Sequence, residues 1–423
     1  MKARTSDGVS CASRITRILD TIGERDGVVR AYCEVLADQA RADAASMDLM
    51  PFDKRGPLRG LGVAIKEVFD VADGLCAWGS NIHAGRRPEN DAVIVRALRD
   101  AGGVILGTTT STEYAMARMA PTTNPFDPAR TPGASSSGSA AAVATGMADV
   151  AIGSQTIGSG IRPAAYCGVF GYKPTQGAFS LSGAMPLSDI LDHPVIFANE
   201  MALIVKTFTA LRDSNAAATT DRISMNNRKP VGALANAALV APWFKDAFSA
   251  DMWEMARSFT QQIPNIDTTL LSLPDQIGER EEGCLTTILS ADMWRHHRAD
   301  HRKHSDKMSS GLRTWLERGR DIKAEDYRAA LELRSQLIAD VWGALRDYDF
   351  VVTLATTDIA PLRREGTGSR APQRLWNLIG CPAISGPIGK IRGLPVGLQI
   401  VSRPGSDEAL LDIAGHIFRA SPT

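Results

Sequence analysis

A single large α/β domain follows from three features of this 423-residue chain. Short apolar runs at 62–65 (GVAI), 104–106 and 150–152 alternate with segments of helical periodicity. That rhythm of strand, helix and strand implies parallel pairing within a sheet. More apolar runs, at 350–354 (FVVTL), 383–388 (AISGPI) and 396–401 (VGLQIV), place strands near the other end of the chain, with no linker between. The apolar share of 44% is enough for a substantial core.

Taken in order, residues 12–46 read as helical. Ile15, Ile18, Leu19 and Ile22 form one stripe, Gly23 and Gly27 interrupt it, and a second helix runs through Tyr32, Val35, Leu36, Gln39 and Ala40. A Pro- and Gly-rich connection follows, so residues 1–56 are expected to form a helical flank and 57–423 the main body. The run at 62–65 ends on Lys66. Asp91 is placed to cap a helix bearing Ile94, Ala97, Leu98 and Ala101, closed by Gly102. Helices are expected at 139–145, 201–212, 245–263, 285–305 and 327–345, and a last one capped by Ser406 or Asp407.

Composition narrows the function. Forty-seven basic and 47 acidic residues cancel, which argues against nucleic acid or an anionic membrane as the main partner. A neutral site and a small organic substrate fit better. Cys11, Cys33, Cys76, Cys167, Cys284 and Cys381 are widely spaced, without a C-x-x-C pair, and read as free thiols. The first residues, MKARTSDGVS, carry no long apolar stretch, and no run of about 18 apolar residues occurs anywhere. A cytoplasmic protein is the expectation.

The chemistry concentrates between Pro132 and Thr175, where serines, glycines and alanines interleave with apolar runs. Small residues in turns let the backbone approach a substrate and turn N–H groups toward it. Ser159 sits in such a turn after a strand, in the manner of a nucleophile elbow, although G-x-S-x-G itself is absent. The N–H groups of Thr156, Ile157 and Gly158 are positioned by sequence to form an oxyanion hole. Ser135, Ser136, Ser137 and Ser139 form a polar turn that either caps a helix or serves the site. Lys66 reads either as a solvated lysine at a strand end or as a buried lysine kept neutral by desolvation. His296, His297, His301 and His304 read as part of a solvated basic helix face rather than a metal site. His193 reads either as a loop histidine or as part of the pocket, and Trp376 as core.

Three segments then become specific: GASSSGS at 133–139, GSQTIGSGIRPAAYCG at 153–168 and VFGYKPT at 169–175. They resemble the amidase signature family. GVAIKEVFD at 62–70, VILGTTTSTEYA at 104–115, TNPFDPARTPG at 123–133 and, near the C-terminus, LWNLIGCPAISGPIG and GLPVGLQIVS extend the likeness. The spelling around Arg162 is most similar to the malonamidase-like branch.

The resemblance implies a twisted mixed β-sheet surrounded by α-helices, and hydrolysis of a small carboxamide through an acyl-serine. It implies Ser159 as nucleophile, Ser135 on a cis peptide as bridging serine, and Lys66 as terminal base. Ser136 and Arg162 become candidate substrate contacts, Arg162 either holding a substrate carboxylate or tying the loop to a carbonyl. Cys167 matches a buried structural cysteine. No cofactor and no metal are implied, and a homodimer is an allowed state. An amidotransferase-type subunit working with a partner, or a family member with only a binding role, are the other readings. Ala134, Ile157 and Gly160 depart from the usual letters, and a β-branched residue such as Ile157 tolerates positive φ poorly.

Overall fold

The computed structural model describes residues 10–214, 216, 235–244 and 246–419. The N-terminal stretch 1–9 and the expected helix start at residue 245 lie outside the described residues.

The first helix, α1 (Cys11–Val29), is longer than its glycines suggest. Ser10 caps it by accepting from the Ser13 N–H, and Ile15, Ile18, Leu19 and Ile22 form the buried stripe. Gly23 and Gly27 remain helical, because the packed stripe outweighs a propensity cost of about 1 kcal/mol each. The helix ends at Arg30, in the left-handed region with φ 56°. The Asp26 carboxylate then accepts from the Ala31 and Tyr32 N–H groups and turns the chain out of the helix. Tyr32–Val35 therefore forms strand β1, not a second helix, and the Tyr32 hydroxyl donates to the Met147 carbonyl at 2.8 Å. α2 (Ala37–Leu49) follows. The segment expected as a purely helical flank thus contributes an edge strand to the sheet.

That edge is possible because β3 (Val104–Thr109) carries Gly107 at φ +149°. A Cβ there would stand 2.1 Å from the Glu34 carbonyl oxygen of β1. β2 (Gly62–Lys66) pairs parallel with β3 on one side and with β4 (Val150–Gln155) on the other, as the strand–helix–strand rhythm predicts. Between them lie α3 (Val93–Asp100) and α4 (Ser137–Ala144). Asp91 does not cap α3; it accepts from the Ala72 N–H and from Arg99, and Ala92 is the cap residue.

The chain continues through α5 (Ile161–Cys167), β5 (Phe170–Lys173), β6 (His193–Ala198), α6 (Met201–Arg212), β7 (Ala235–Val240), α7 (Ala250–Gln261) and β8 (Ile266–Leu271). α8 (Asp275–His304), α9 (Ser310–Asp321) and α10 (Ala324–Ala344) form the helical mid-section. β9 (Phe350–Leu354), α11 (Ala371–Leu378), β10 (Ala383–Ile391), β11 (Leu394–Val401) and α12 (Asp407–Arg419) complete it. Asp407 opens α12, but its carboxylate accepts from Tyr172 and from the Thr175 N–H.

Among the described residues the strands form one eleven-stranded mixed sheet in the order β1-β3-β2-β4-β6-β5-β10-β11-β9-β7-β8. Apolar side chains pack on both faces. Along β2 the alternation is clean: Val63 and Ile65 enter the larger core, whereas Ala64 faces the smaller one beneath α1 and α4. Lys66 shares parity with Ala64, so it leaves the sheet on the side covered by the small residues of α4. This parity, set by the sequence GVAIK, carries the lysine to the serines.

Candidate active site

Lys66 ends β2 and is completely buried. Its Nζ lies 2.7 Å from Ser135 Oγ, 3.1 Å from Ser136 Oγ and 2.9 Å from Ser154 Oγ. An ammonium has three donors, and here three hydroxyls meet them. Burial lowers its pKa from 10.5 to about 7, with the Glu67 and Asp192 charges opposing the fall. The solvated-lysine reading is thereby excluded. Burial alone does not make a base, however. Lys173 is also buried and lowered to about 8, but its Nζ donates to the carbonyls of Pro174 and Cys381.

Ser135 lies in the turn that leads into α4, and the Ala134–Ser135 peptide bond is cis. Three contacts hold this turn. Gly133 has φ +86°, and a Cβ on it would come within 2.8 Å of Pro163 Cα. Gly153 is bare beneath Ser136, where a Cβ would meet Ser136 Oγ at 2.7 Å. The Ser136 N–H donates to the Ser159 carbonyl at 3.2 Å, fastening the Ser135 turn to the Ser159 turn.

Ser136 is held by its neighbours on three sides. Its hydroxyl donates to the Ser154 carbonyl at 2.9 Å and accepts from the Ser154 N–H at 3.1 Å and from Lys66. It is fully buried, and these bonds brace the loop. Ser154 was not singled out from sequence. The signal was the ending of the 150–155 run in a polar residue beside the polar end of 62–66, on neighbouring parallel strands.

Ser135 and Ser159 line one cavity of about 190 Å³, with Thr156, Ile157, Ala134, Arg162, Thr367 and Arg370 among its other walls. The Ser159 hydroxyl has no protein hydrogen-bond partner among the described residues, and Ser159 is part of the cavity wall. Gln155 shapes the turn before Ser159. Its Oε1 accepts from the Gly160 and Ile161 N–H groups at 2.9 and 3.0 Å. Asn377 Nδ2 donates to the carbonyls of Thr156 and Leu191, at 2.7 and 2.9 Å. With these groups engaged, the N–H groups of Thr156, Ile157, Gly158 and Ser159 have no protein acceptor among the described residues. Ile157 is not among the residues with positive φ, which removes the strain its β-branch would bring. Gly160 has a packing reason, since a Cβ would stand 2.4 Å from Val195 Cγ2.

Arg162 opens α5 completely buried. One Nη donates to the Gly368 carbonyl at 2.7 Å and the other to the Ala134 carbonyl at 2.8 Å. Of the two readings from sequence, this geometry displays the loop-tying one. Burial, opposed by Tyr166 and reinforced by Arg370, lowers its pKa to about 10.

A neighbouring cavity of about 300 Å³ shares Ala115 and Thr156 with the first and includes Ser154, Asp192 and His193 in its walls. Thr156 donates to Asp192 at 2.6 Å, and burial raises Asp192 to about 6 against that bond and two N–H donors. The histidines of α8 are engaged separately. His297 is buried, with Nε2 2.6 Å from the Pro186 carbonyl, and packs edge-on to Tyr114; it is not on a solvated face. His296 pairs with Asp189 and His301 lies 3.7 Å from Glu317. Among the described residues no three His, Cys, Asp or Glu side chains gather to hold a metal ion. Cys167 is buried and donates to the Pro132 carbonyl, and Trp376 lies in the core. No helix among the described residues is long and apolar enough to cross a membrane.

Comparison with known proteins identifies the family and the fold. The family model described as Amidase matches residues 14–411. A glutamyl-tRNA(Gln) amidotransferase subunit of Anaeromyxobacter sp. (strain K) is 30% identical, over 97% of this chain and 93% of its own length. AtzE, the 1-carboxybiuret hydrolase subunit of Pseudomonas sp. (strain ADP), is 29% identical over 95% of this chain and 93% of its own. Among solved structures, the native peptide amidase from Stenotrophomonas maltophilia superposes with a TM-score of 0.84 at 26% identity, covering 98% of this chain and 94% of that one. The chain belongs to the amidase family and is an amide-hydrolysing enzyme of the amidase signature type.

Proposed function

We propose that the protein hydrolyses a small carboxamide to the acid and ammonia or a small amine, with Ser159 as nucleophile, Ser135 as proton carrier and Lys66 as base. The observation that carries this reading is the buried Lys66 Nζ, 2.7 Å from Ser135 Oγ, in a turn bonded to that of Ser159. A serine hydroxyl needs a proton acceptor to attack at neutral pH, and a lysine serves only when held neutral. Ser159 Oγ adds to the amide carbon as its proton passes to Ser135, whose own proton passes to Lys66. The N–H groups at Thr156, Ile157 and Gly158 receive the developing oxyanion. The C–N bond then breaks, and the amine leaves with a proton returned from Lys66 through Ser135. Water attacks the acyl-serine and loses its proton along the same route; as the acyl C–O bond breaks, that proton returns through Ser135 to Ser159 Oγ and the acid is released.

A second reading is an amidotransferase-type subunit that delivers ammonia to a partner's active site. The relatives named as glutamyl-tRNA(Gln) amidotransferase subunits, 30% identical in the example above, favour it. Ammonia release from a panel of small amides separates the two. Release by the purified chain alone supports the hydrolase; release only with a co-purifying second chain supports the amidotransferase. All six cysteines are free thiols, which agrees with a reducing, cytoplasmic compartment.

A further inference from the structure

The cavity beside Ser159 carries unbalanced charge. Its walls include two arginines, Arg162 and Arg370, and no aspartate or glutamate. Arg162 spends both Nη groups on backbone carbonyls, and its buried Nε has no partner. Arg370 is the N-cap residue of α11. Its Nη1 lies 3.5 Å from Met116 Sδ, a weak acceptor, and its guanidinium stands 6.0 Å from the Trp315 ring. Among the described residues no carboxylate lies within ion-pair distance of either guanidinium. Acids are not scarce in this region. Arg374, one turn along the same helix, pairs with Glu281 at 2.9 Å and Glu282 at 3.0 Å.

Desolvated charges are costly unless paired, and two like charges on one small cavity add to that cost. The arrangement calls for an anion. Because Arg162 is already committed to holding the loops, the free fork belongs to Arg370. A guanidinium fork matches a carboxylate in two parallel hydrogen bonds.

We infer that Arg370 binds a carboxylate carried by the substrate, so that the enzyme prefers small amides bearing a carboxylate over neutral amides. This rests on the amide-hydrolase reading and names the substrate class of the same site. Arg162 is then a positioning residue that fixes the Ala134 and Gly368 carbonyls beside the anion. Discrimination is strong in such a site because a neutral substrate leaves the cation unpaired.

The test measures ammonia release from three pairs of matched length: malonamate and propanamide, succinamate and butanamide, glutaramate and pentanamide. For at least one pair, kcat/KM favours the anionic amide by roughly 10- to 100-fold, carried mainly by KM. Arg370→Leu brings that ratio close to 1, and Arg370→Lys retains part of it. A wild-type ratio near 1 for all three pairs, or an undiminished ratio in folded Arg370→Leu, overturns the inference. If Arg370→Leu does not fold, the wild-type ratios decide. If none of these amides is turned over while Ser159 still reacts with a fluorophosphonate, protection by malonate, succinate or glutarate is read instead. Protection by one of them supports the assignment and its absence from all three overturns it. Failure of Ser159 to react at all removes the hydrolase reading, and this inference with it.

Discussion

Titration of Lys66 offers a quantitative test of the proposed base. A lysine at 10.5 is neutral in about one molecule in 3,000 at pH 7, whereas one lowered to about 7 is neutral in about half. Burial therefore raises the supply of usable base by about a thousandfold, equivalent to about 5 kcal/mol of differential solvation. The second-order rate of fluorophosphonate labelling, measured from pH 5.5 to 9.5, is expected to rise about tenfold per unit below pH 7 and to level above it. Lys66→Met should lower the plateau by at least about a hundredfold. The stability sign follows from linkage. The folded state holds Lys66 below its unfolded value, so the unfolded chain binds more protons between about 7 and 10.5. Stability from this group rises with pH across that window, and below it the buried charge is a burden. Lys66→Met is accordingly expected to melt no lower than the wild type, so its lost reactivity is not unfolding. A labelling rate still climbing tenfold per unit at pH 9, or flat from pH 5.5, would refute the lowered lysine.

Two further substitutions separate positioning from catalysis. Ser154→Ala removes one acceptor from the Lys66 ammonium, which costs the charged form about 1 kcal/mol. The inflection of the labelling profile should move down by about half to one pH unit; an unmoved inflection would show that Ser154 does not touch the base in solution. Arg162→Leu cuts the ties to the Ala134 and Gly368 carbonyls, so kcat/KM should fall on neutral and anionic amides alike. A loss confined to anionic amides would return the carboxylate contact to Arg162.

Much of this site was legible in the sequence. The continuous apolar run GVAI placed Lys66 at a strand end, and the small-residue turns placed Ser135 and Ser159. Burial of the lysine was not legible, because it depends on α4 covering that face of β2. Arg162 read equally well as ligand or brace, since only three-dimensional placement reveals that Ala134 and Gly368 offer it carbonyls. Gln155 and Asn377, which are 222 residues apart and together hold the turn before Ser159, gave no local signal at all. The helical misreading of Tyr32–Val35 has a similar origin. Its apolar spacing suits either element, and the Asp26 carboxylate and the Gly107 opening in β3 decide for a strand. Arg370 was missed because nothing in its local sequence sets it apart from an ordinary arginine; what distinguishes it is the lack of an acid in the cavity it lines.

Ser159 as the attacking group is the centre of the proposed mechanism. Intact folded protein treated with a fluorophosphonate at pH 8 and digested for mass spectrometry should carry a single adduct on the peptide containing Ser159. Lys66→Met and Ser135→Ala should leave that peptide almost unmodified. A wild-type Ser159 that stays unlabelled in folded protein, or an adduct on another residue that survives Ser159→Ala, would contradict it.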